Sequence, residues 1–336
     1  MNETPINLRP GQNFIIHYSG GKLGISAVPG SGKTWTLSRL AAELIRRGVL
    51  ENDQEILVVT LVNSAVENFY QRVSNFILQD NLLPSIGYRV RTLHGLAHDI
   101  VRERPDLAGL DNNFQILDER ETDSIISDIV SSWLKGHPDH LAPYLKLDLD
   151  EYRLVQIHQK ELPRTLESIA RNSIRYAKDR SWTAEHLRVR LDQLPIPLPL
   201  AEIGVQFYTD YQRALAYRGA VDFDDLIRLA YFILEQDDDL LHRLQHTWPF
   251  ILEDEAQDSS RLQEKILAIL AEGHGNWVRV GDPNQAVYYT FTTADPRLLA
   301  DFLAQPGVRV VEMDQSGRSA HPILDLANHT EVAVIE

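Results

Sequence analysis

Short apolar runs alternate with longer amphipathic stretches over the first part of the chain. LGISA (23–27) leads into Pro29, Gly30, Ser31 and Gly32, and a helical pattern then runs from Lys33 to about Arg47. Glu55–Thr60, EILVVT, is continuous, apolar and β-branched, the pattern of a strand covered on both faces. The amphipathic stretch LVNSAVENFYQRV follows it, and then a third unit, YRVRT at Tyr88–Thr92 with LHGLAHDIV after it. Strands alternating with helices predict a parallel sheet whose ligands gather at the carboxyl ends of the strands. Thr60, Asn63, Thr92 and His94 fall at that edge. Upstream, Leu8–Ile16 reads as a turn at Pro10 and Gly11, with Gln12 just beyond it.

From about Asn113 to about Arg218 the pattern is helical and no strand alternation interrupts it, although LPIPLPL (194–200) breaks it once. This predicts a helical insertion, entered and left by one α/β domain. Inside it Arg164, Arg171, Arg175 and Lys178 recur at helical spacing and share one face. Glu161, Glu167 and Asp179 are interspersed, so the face is either a phosphate-binding surface or a solvated one. The α/β pattern resumes at Val221 with VDFDDLIRLAYFIL. A strand at Pro249–Leu252 then delivers Glu253, Asp254 and Glu255 to its carboxyl end, and WVRVGD ends at Asp282. VRVVEMD (308–314) predicts one more strand and HPILDLANHTEV (321–332) one more helix.

The chemistry concentrates at Ile25–Leu37, ISAVPGSGKTWTL. Glycines between a strand and a helix let several backbone N–H groups converge on a phosphate chain, in line with the positive end of the helix. Lys33 can reach the β and γ phosphates, and the Thr34 hydroxyl can ligate Mg²⁺. Carboxylates crowded at a strand end call for a cation. Asp254 is placed to hold Mg²⁺, directly or through water, and Glu255 to deprotonate a water aimed at the γ phosphate. Gln285, after the next strand, can sense that phosphate. Gln12 offers an acceptor and two donors to an adenine edge. Tyr288, Tyr289 and Phe291 are either core or a platform for stacked bases.

Composition narrows the field. An apolar fraction of 43% supports ordinary buried cores. The absence of cysteine removes disulfides, zinc–thiolate sites and thiol nucleophiles. No signal-peptide pattern and no apolar run of membrane-spanning length is visible, so a cytoplasmic protein without membrane contact is expected. A net charge of −15 argues against coating nucleic acid by charge alone.

Taken together and in this order, the segments resemble the UvrD/Rep/PcrA family of superfamily 1 DNA helicases over nearly the whole chain. AVPGSGKT looks like motif I, VVTLVNSAVENF like motif Ia and RTLHGLAH like motif Ib. VDFDDL resembles the segment that rejoins the core, EDEAQD motif II, VGDPNQAVY motif III and MDQSGRSAHPIL motif IV. The resemblance implies an α/β fold: a RecA-like P-loop NTPase domain with a parallel sheet (1–112 and 218–306), an inserted all-helical subdomain (113–217), and the start of a second motor domain (307–336).

It implies ATP and Mg²⁺ as cofactors, and single-stranded DNA or a single/double-strand junction as partner, in a monomer. By position, Gln12, Pro29, Gly30, Ser31, Gly32, Lys33, Thr34 and Trp35 would bind ATP, and Thr34 and Asp254 would hold the metal. Glu255 would be the base, Gln285 the γ-phosphate sensor and Arg318 the arginine that stabilises phosphoryl charge. Thr60, Asn63, Thr92, His94, Tyr288 and Phe291 would line the DNA track. The chain departs from the family at Gly317, where the motif has an adenine-stacking Tyr. Trp35, in the place of the usual Arg, is expected to supply the missing flat surface. Leu61 and Ser64 replace the family's Phe and Lys. Motifs V and VI are absent, so the chain is expected to be the N-terminal part of a longer ATP-dependent helicase. The alternatives are an ATP-binding module without motor activity and the motor part of a helicase–nuclease.

Overall fold

The computed structural model describes residues 8–84, 86–138, 140–144, 150–284 and 294–317. Its strands are β1 Lys22–Ala27, β2 Ile56–Thr60, β3 Tyr88–Thr92, β4 Gln115–Ile116, β5 Ala220–Val221, β6 Phe250–Glu253, β7 Trp277–Gly281 and β8 Arg309–Met313. Its α-helices begin with α1 Pro10–Ile16, α2 Lys33–Arg46, α3 Asn63–Gln79, α4 Leu93–Glu103, α5 Glu119–Gly136, α6 Glu151–Gln156 and α7 Leu162–Asp179. They continue with α8 Ala184–Asp192, α9 Pro199–Tyr217, α10 Phe223–Gln236, α11 Asp238–Thr247, α12 Arg261–Glu272 and α13 Arg297–Leu303. Two compact units divide the chain: residues up to Leu96 together with those from Asp237 onward, and Ala97–Gln236. The expected boundaries at 113 and 217 fall inside the second.

The first unit is built on a six-stranded sheet in the order β3-β2-β6-β7-β1-β8, with every pairing parallel. Every residue of β2, β6 and β7 is buried, the signature of central strands covered on both faces. Ile25, Leu37, Val58, Phe69, Leu252 and Val278 belong to one apolar core between this sheet and its helices. Arg279 of β7 is fully buried and donates to the equally buried Glu253 at 2.8 Å and also to Glu264. The rings of Trp277 and Phe302 lie 4.7 and 5.0 Å from its guanidinium carbon. With all strands parallel, their carboxyl ends share one edge, and the segments after β1, β2, β3, β6 and β7 emerge there.

Residues 10–16 form a helix, not the turn expected from Pro10 and Gly11. Pro10 occupies its first position, where the missing N–H costs nothing and the fixed φ suits helix entry.

The second unit is mainly helical. The α5, α7 and α9 helices bury Ile126, Val130, Leu166, Phe207 and Tyr211 in a common core. One expectation fails here, because β4 and β5 form a two-residue parallel pair, Gln115 with Ala220 and Ile116 with Val221. Strands this short carry no readable alternation.

The basic face expected on α7 is also reassigned. Lys178 is fully buried, with its Nζ 2.5 Å from Asp222 and 2.9 Å from Asp225, and Arg171 donates to Asp123 at 2.8 Å. Tyr211 donates to the same Asp222 at 2.7 Å.

Candidate nucleotide site

The loop after β1 is held in shape by backbone. Val28 donates to the Met313 carbonyl at 3.1 Å, while Gly30 and Gly32 take φ of 73° and 91°, values that glycine adopts without penalty. The α2 helix starts at Lys33, so its unpaired N–H groups face the loop's concavity. Ser31 is buried, and its hydroxyl has no hydrogen-bond partner among the described residues.

Two short contacts join this loop to the end of β6. Lys33 donates to Glu255 Oε2 at 2.8 Å, and the Thr34 hydroxyl donates to Asp254 Oδ2 at 2.8 Å. The partners in these contacts are 222 and 220 positions apart in the sequence, yet β1 and β6 are separated in the sheet only by β7. Burial, and then the neighbouring charge of Glu255, push the Asp254 carboxyl up to about 6, against the lowering effect of Thr34 and Lys33. The same two causes raise Asp258. Glu255 sits in the left-handed region at φ 55°, ψ 43°, a conformation that side chains rarely adopt and that is held here by its surroundings. Thr34 and Asp254 together present adjacent hard oxygens, the donor type Mg²⁺ takes.

Gln257 was assigned no role from sequence, although it lies within EDEAQD. Its Nε2 donates to Glu255 at 2.9 Å and to Asp258 at 3.2 Å, and its Oε1 accepts the Asp282 N–H at 3.0 Å. It therefore links the carboxylates after β6 to the end of β7. The approach is close enough that a Cβ on Gly281 would lie 2.4 Å from that Oε1.

Gln12 lies beside the loop, with its carbonyl accepting the Arg9 N–H at 3.2 Å and its amide donating to Thr36 at 3.3 Å. A cavity of about 240 Å³ opens next to it, lined by Arg9, Gln12, Ser31, Glu312, Asp314 and Gln315 among others. Trp35 is not on its described wall. It meets Phe76 edge-on at 5.7 Å and packs on the sheet unit's core.

Thr60 and Thr92 are register partners at the carboxyl ends of β2 and β3; Asn63 opens α3 and His94 lies in the first turn of α4. The Thr92 hydroxyl accepts the Gly95 N–H at 3.1 Å. Gln285, Arg318, Tyr288 and Phe291 lie outside the described residues. No helix among the described residues is long and apolar enough to cross a membrane.

Residues 8–306 match the family model described as UvrD/REP helicase N-terminal domain. Among curated proteins, an ATP-dependent DNA helicase PcrA of Leuconostoc citreum is 28% identical over 321 residues, covering 94% of this chain and 38% of the relative. An ATP-dependent DNA helicase Rep of Salmonella typhimurium is 25% identical, covering 96% and 43% respectively. A probable DNA helicase II homolog of Rickettsia conorii is 27% identical, covering 96% and 44%. The chain thus spans about two-fifths of the length of the curated relatives it matches.

Proposed function

The chain belongs to the UvrD/REP helicase N-terminal domain family, and on that premise we propose that it forms the ATP-binding part of a DNA helicase, with single-stranded DNA crossing the carboxyl edge of its sheet. The observation that carries this reading is the pair of contacts Lys33 to Glu255 and Thr34 to Asp254, both at 2.8 Å. They bring an ammonium, a hydroxyl and two carboxylates to one loop, the groups this reading needs as phosphate-binding cation, metal-binding oxygens and general base.

In this reading the loop's N–H groups and Lys33 grip the β and γ phosphates, and Lys33 leaves Glu255 to do so. Glu255, released, accepts the proton of a water directed at the γ phosphorus. Gln257 keeps the Glu255 carboxylate oriented from the side. Mg²⁺, when held by Thr34 and Asp254, supplies positive charge to the phosphate oxygens. Gln285 and Arg318 complete the reading as γ-phosphate sensor and charge-stabilising arginine. Asn63, Thr92 and His94 would contact the DNA, with the exposed Leu61 and Val62 just before Asn63, while Thr60, whose side chain is buried, would shape that edge without touching the strand.

The test is nucleotide binding by the 336-residue chain, followed by fluorescence of a labelled ATP with Mg²⁺. Lys33→Ala should weaken binding by about a hundredfold, the loss expected for a charge-assisted phosphate contact. Glu255→Gln should bind ATP as well as the parent, or better, and hydrolyse none. A chain that binds ATP equally well without Lys33 would overturn the reading. Stimulation of hydrolysis by single-stranded DNA, measured on the same chain and on any longer product of its gene, separates a motor from an ATP-binding module.

A further inference from the structure

We propose that the guanidinium of Arg9 is the flat surface on which the base of the bound nucleotide stacks. The inference rests on the nucleotide reading above. A phosphate chain held between Gly30 and Thr34 must send its nucleoside into adjoining space, and the cavity beside Gln12 provides it. The buried Ser31 hydroxyl, unpartnered among the described residues, is on its wall. Glu312 and Asp314 are there too, and carboxylates suit ribose hydroxyls while repelling phosphate, so this is the nucleoside end.

A base needs a planar partner, and none of the described residues lining the cavity is aromatic. Arg9 is the lining residue whose side chain ends in a delocalised cationic plane, a group that stacks well on aromatic faces. Its position is fixed. Arg9 Nη1 donates to the Gln315 carbonyl, and two residues on, the Gly317 N–H donates to the Gly30 carbonyl at 2.9 Å. The segment 315–317 is thereby fastened both to the phosphate loop and to Arg9.

Gly317 is the complement of this arrangement. A Cβ there would lie 2.7 Å from Arg9 Nη2, so the guanidinium occupies the volume a side chain at 317 would enter. Trp35, with its ring against Phe76 and away from the cavity's described wall, does not fill this role.

Three probes on the 336-residue chain test it: Mg²⁺ with ATP, with ADP, and with inorganic tripolyphosphate, which has no base. Arg9→Ala should weaken ATP and ADP by a similar factor of about ten and leave tripolyphosphate unchanged. Arg9→Lys, which keeps the charge and loses the plane, should recover little of this. The double variant R9A/G317Y should recover most of it, because the tyrosine ring enters the space the guanidinium left. Unchanged ATP affinity in R9A, with binding still lost in Lys33→Ala, would overturn the role of Arg9 and leave the nucleotide reading standing. An equal loss of tripolyphosphate would overturn it in favour of a phosphate contact. ATP binding insensitive to Lys33→Ala would remove the nucleotide reading and this inference together.

Discussion

A carboxyl buried beside a second carboxylate is costly to ionise, and Asp254 bears that cost in the metal-free chain. Its folded-state titration is raised to about 6, first by burial and then by Glu255. The folded state therefore binds this proton more readily than the unfolded state, whose carboxyl titrates near ~4. The stability it contributes is complete below about pH 4 and is lost as pH rises through about 6. Asp254→Asn should accordingly raise the melting temperature of the metal-free chain at pH 7 by a few degrees and leave it nearly unchanged at pH 4. The same variant should lose the stabilisation that Mg²⁺ with ATP gives the parent. Thermal melts at the two pH values, with and without Mg²⁺ and ATP, check both halves. That Lys33, Thr34, Asp254 and Glu255 come together was legible in the sequence because each lies in a short stretch whose spacing has a chemical meaning. Gln257 and Arg9 were not, since their roles depend on Asp282, Gln315 and Gly317, partners that only the folded chain brings near.

At the scale of single elements, periodicity located α7 but charge alone misjudged its face. Arg164, Arg171, Arg175 and Lys178 read alike in sequence, yet Lys178 is the group on which the interior of the helical unit is balanced. Buried between Asp222 and Asp225, its ammonium stays charged: the two carboxylates outweigh the desolvation and hold its pKa above the usual lysine value. The same ammonium holds Asp225 below the usual carboxylate range. Removing the lysine leaves Asp222 without its cation and Asp225 with Arg228 alone, so Lys178→Met should destabilise this unit by about 3–5 kcal/mol, read as a lower urea midpoint. Adding Asp222→Asn and Asp225→Asn to that variant should restore part of the loss, because the stranded carboxylates are then gone. Recovery separates a charge imbalance from a simple packing defect. The α1 helix gives the parallel lesson for backbone. Pro10–Gly11 satisfies the sequence rule for a turn equally well, and the choice is made by what Gln12 and Ile15 meet: Arg9 and Thr36 for the first, the sheet's core for the second.

Across the whole molecule, strand order makes the candidate nucleotide site depend on segments far apart in the chain. β1, which carries the proposed phosphate loop, lies between β7 and β8, and β2 lies between β3 and β6. Every neighbour of β1, and one of the two neighbours of β2, comes from beyond Asp237, while the helical unit is encoded without interruption by Ala97–Gln236. The fold class was legible from the alternation of strands and helices, but this interleaving was not, because strand order is a property of pairing and leaves no mark in periodicity. The consequence is a sharp asymmetry between fragments. A chain cut after residue 236 retains Lys33 and Thr34 but has no pairing partner for the strand that presents them, and it lacks Asp254 and Glu255 altogether. It should bind no ATP, although circular dichroism should still report cooperative unfolding of the helical unit. Supplying 237–336 as a separate polypeptide in the same cell should rebuild the sheet and restore Lys33-dependent binding, since the connection it replaces is covalent continuity and not a hydrogen-bonded strand. ATP binding by the 1–236 fragment alone would mean that the loop keeps its shape without β7 and β8, and that the Val28 contact to Met313 and the Gly317 contact to Gly30 are dispensable.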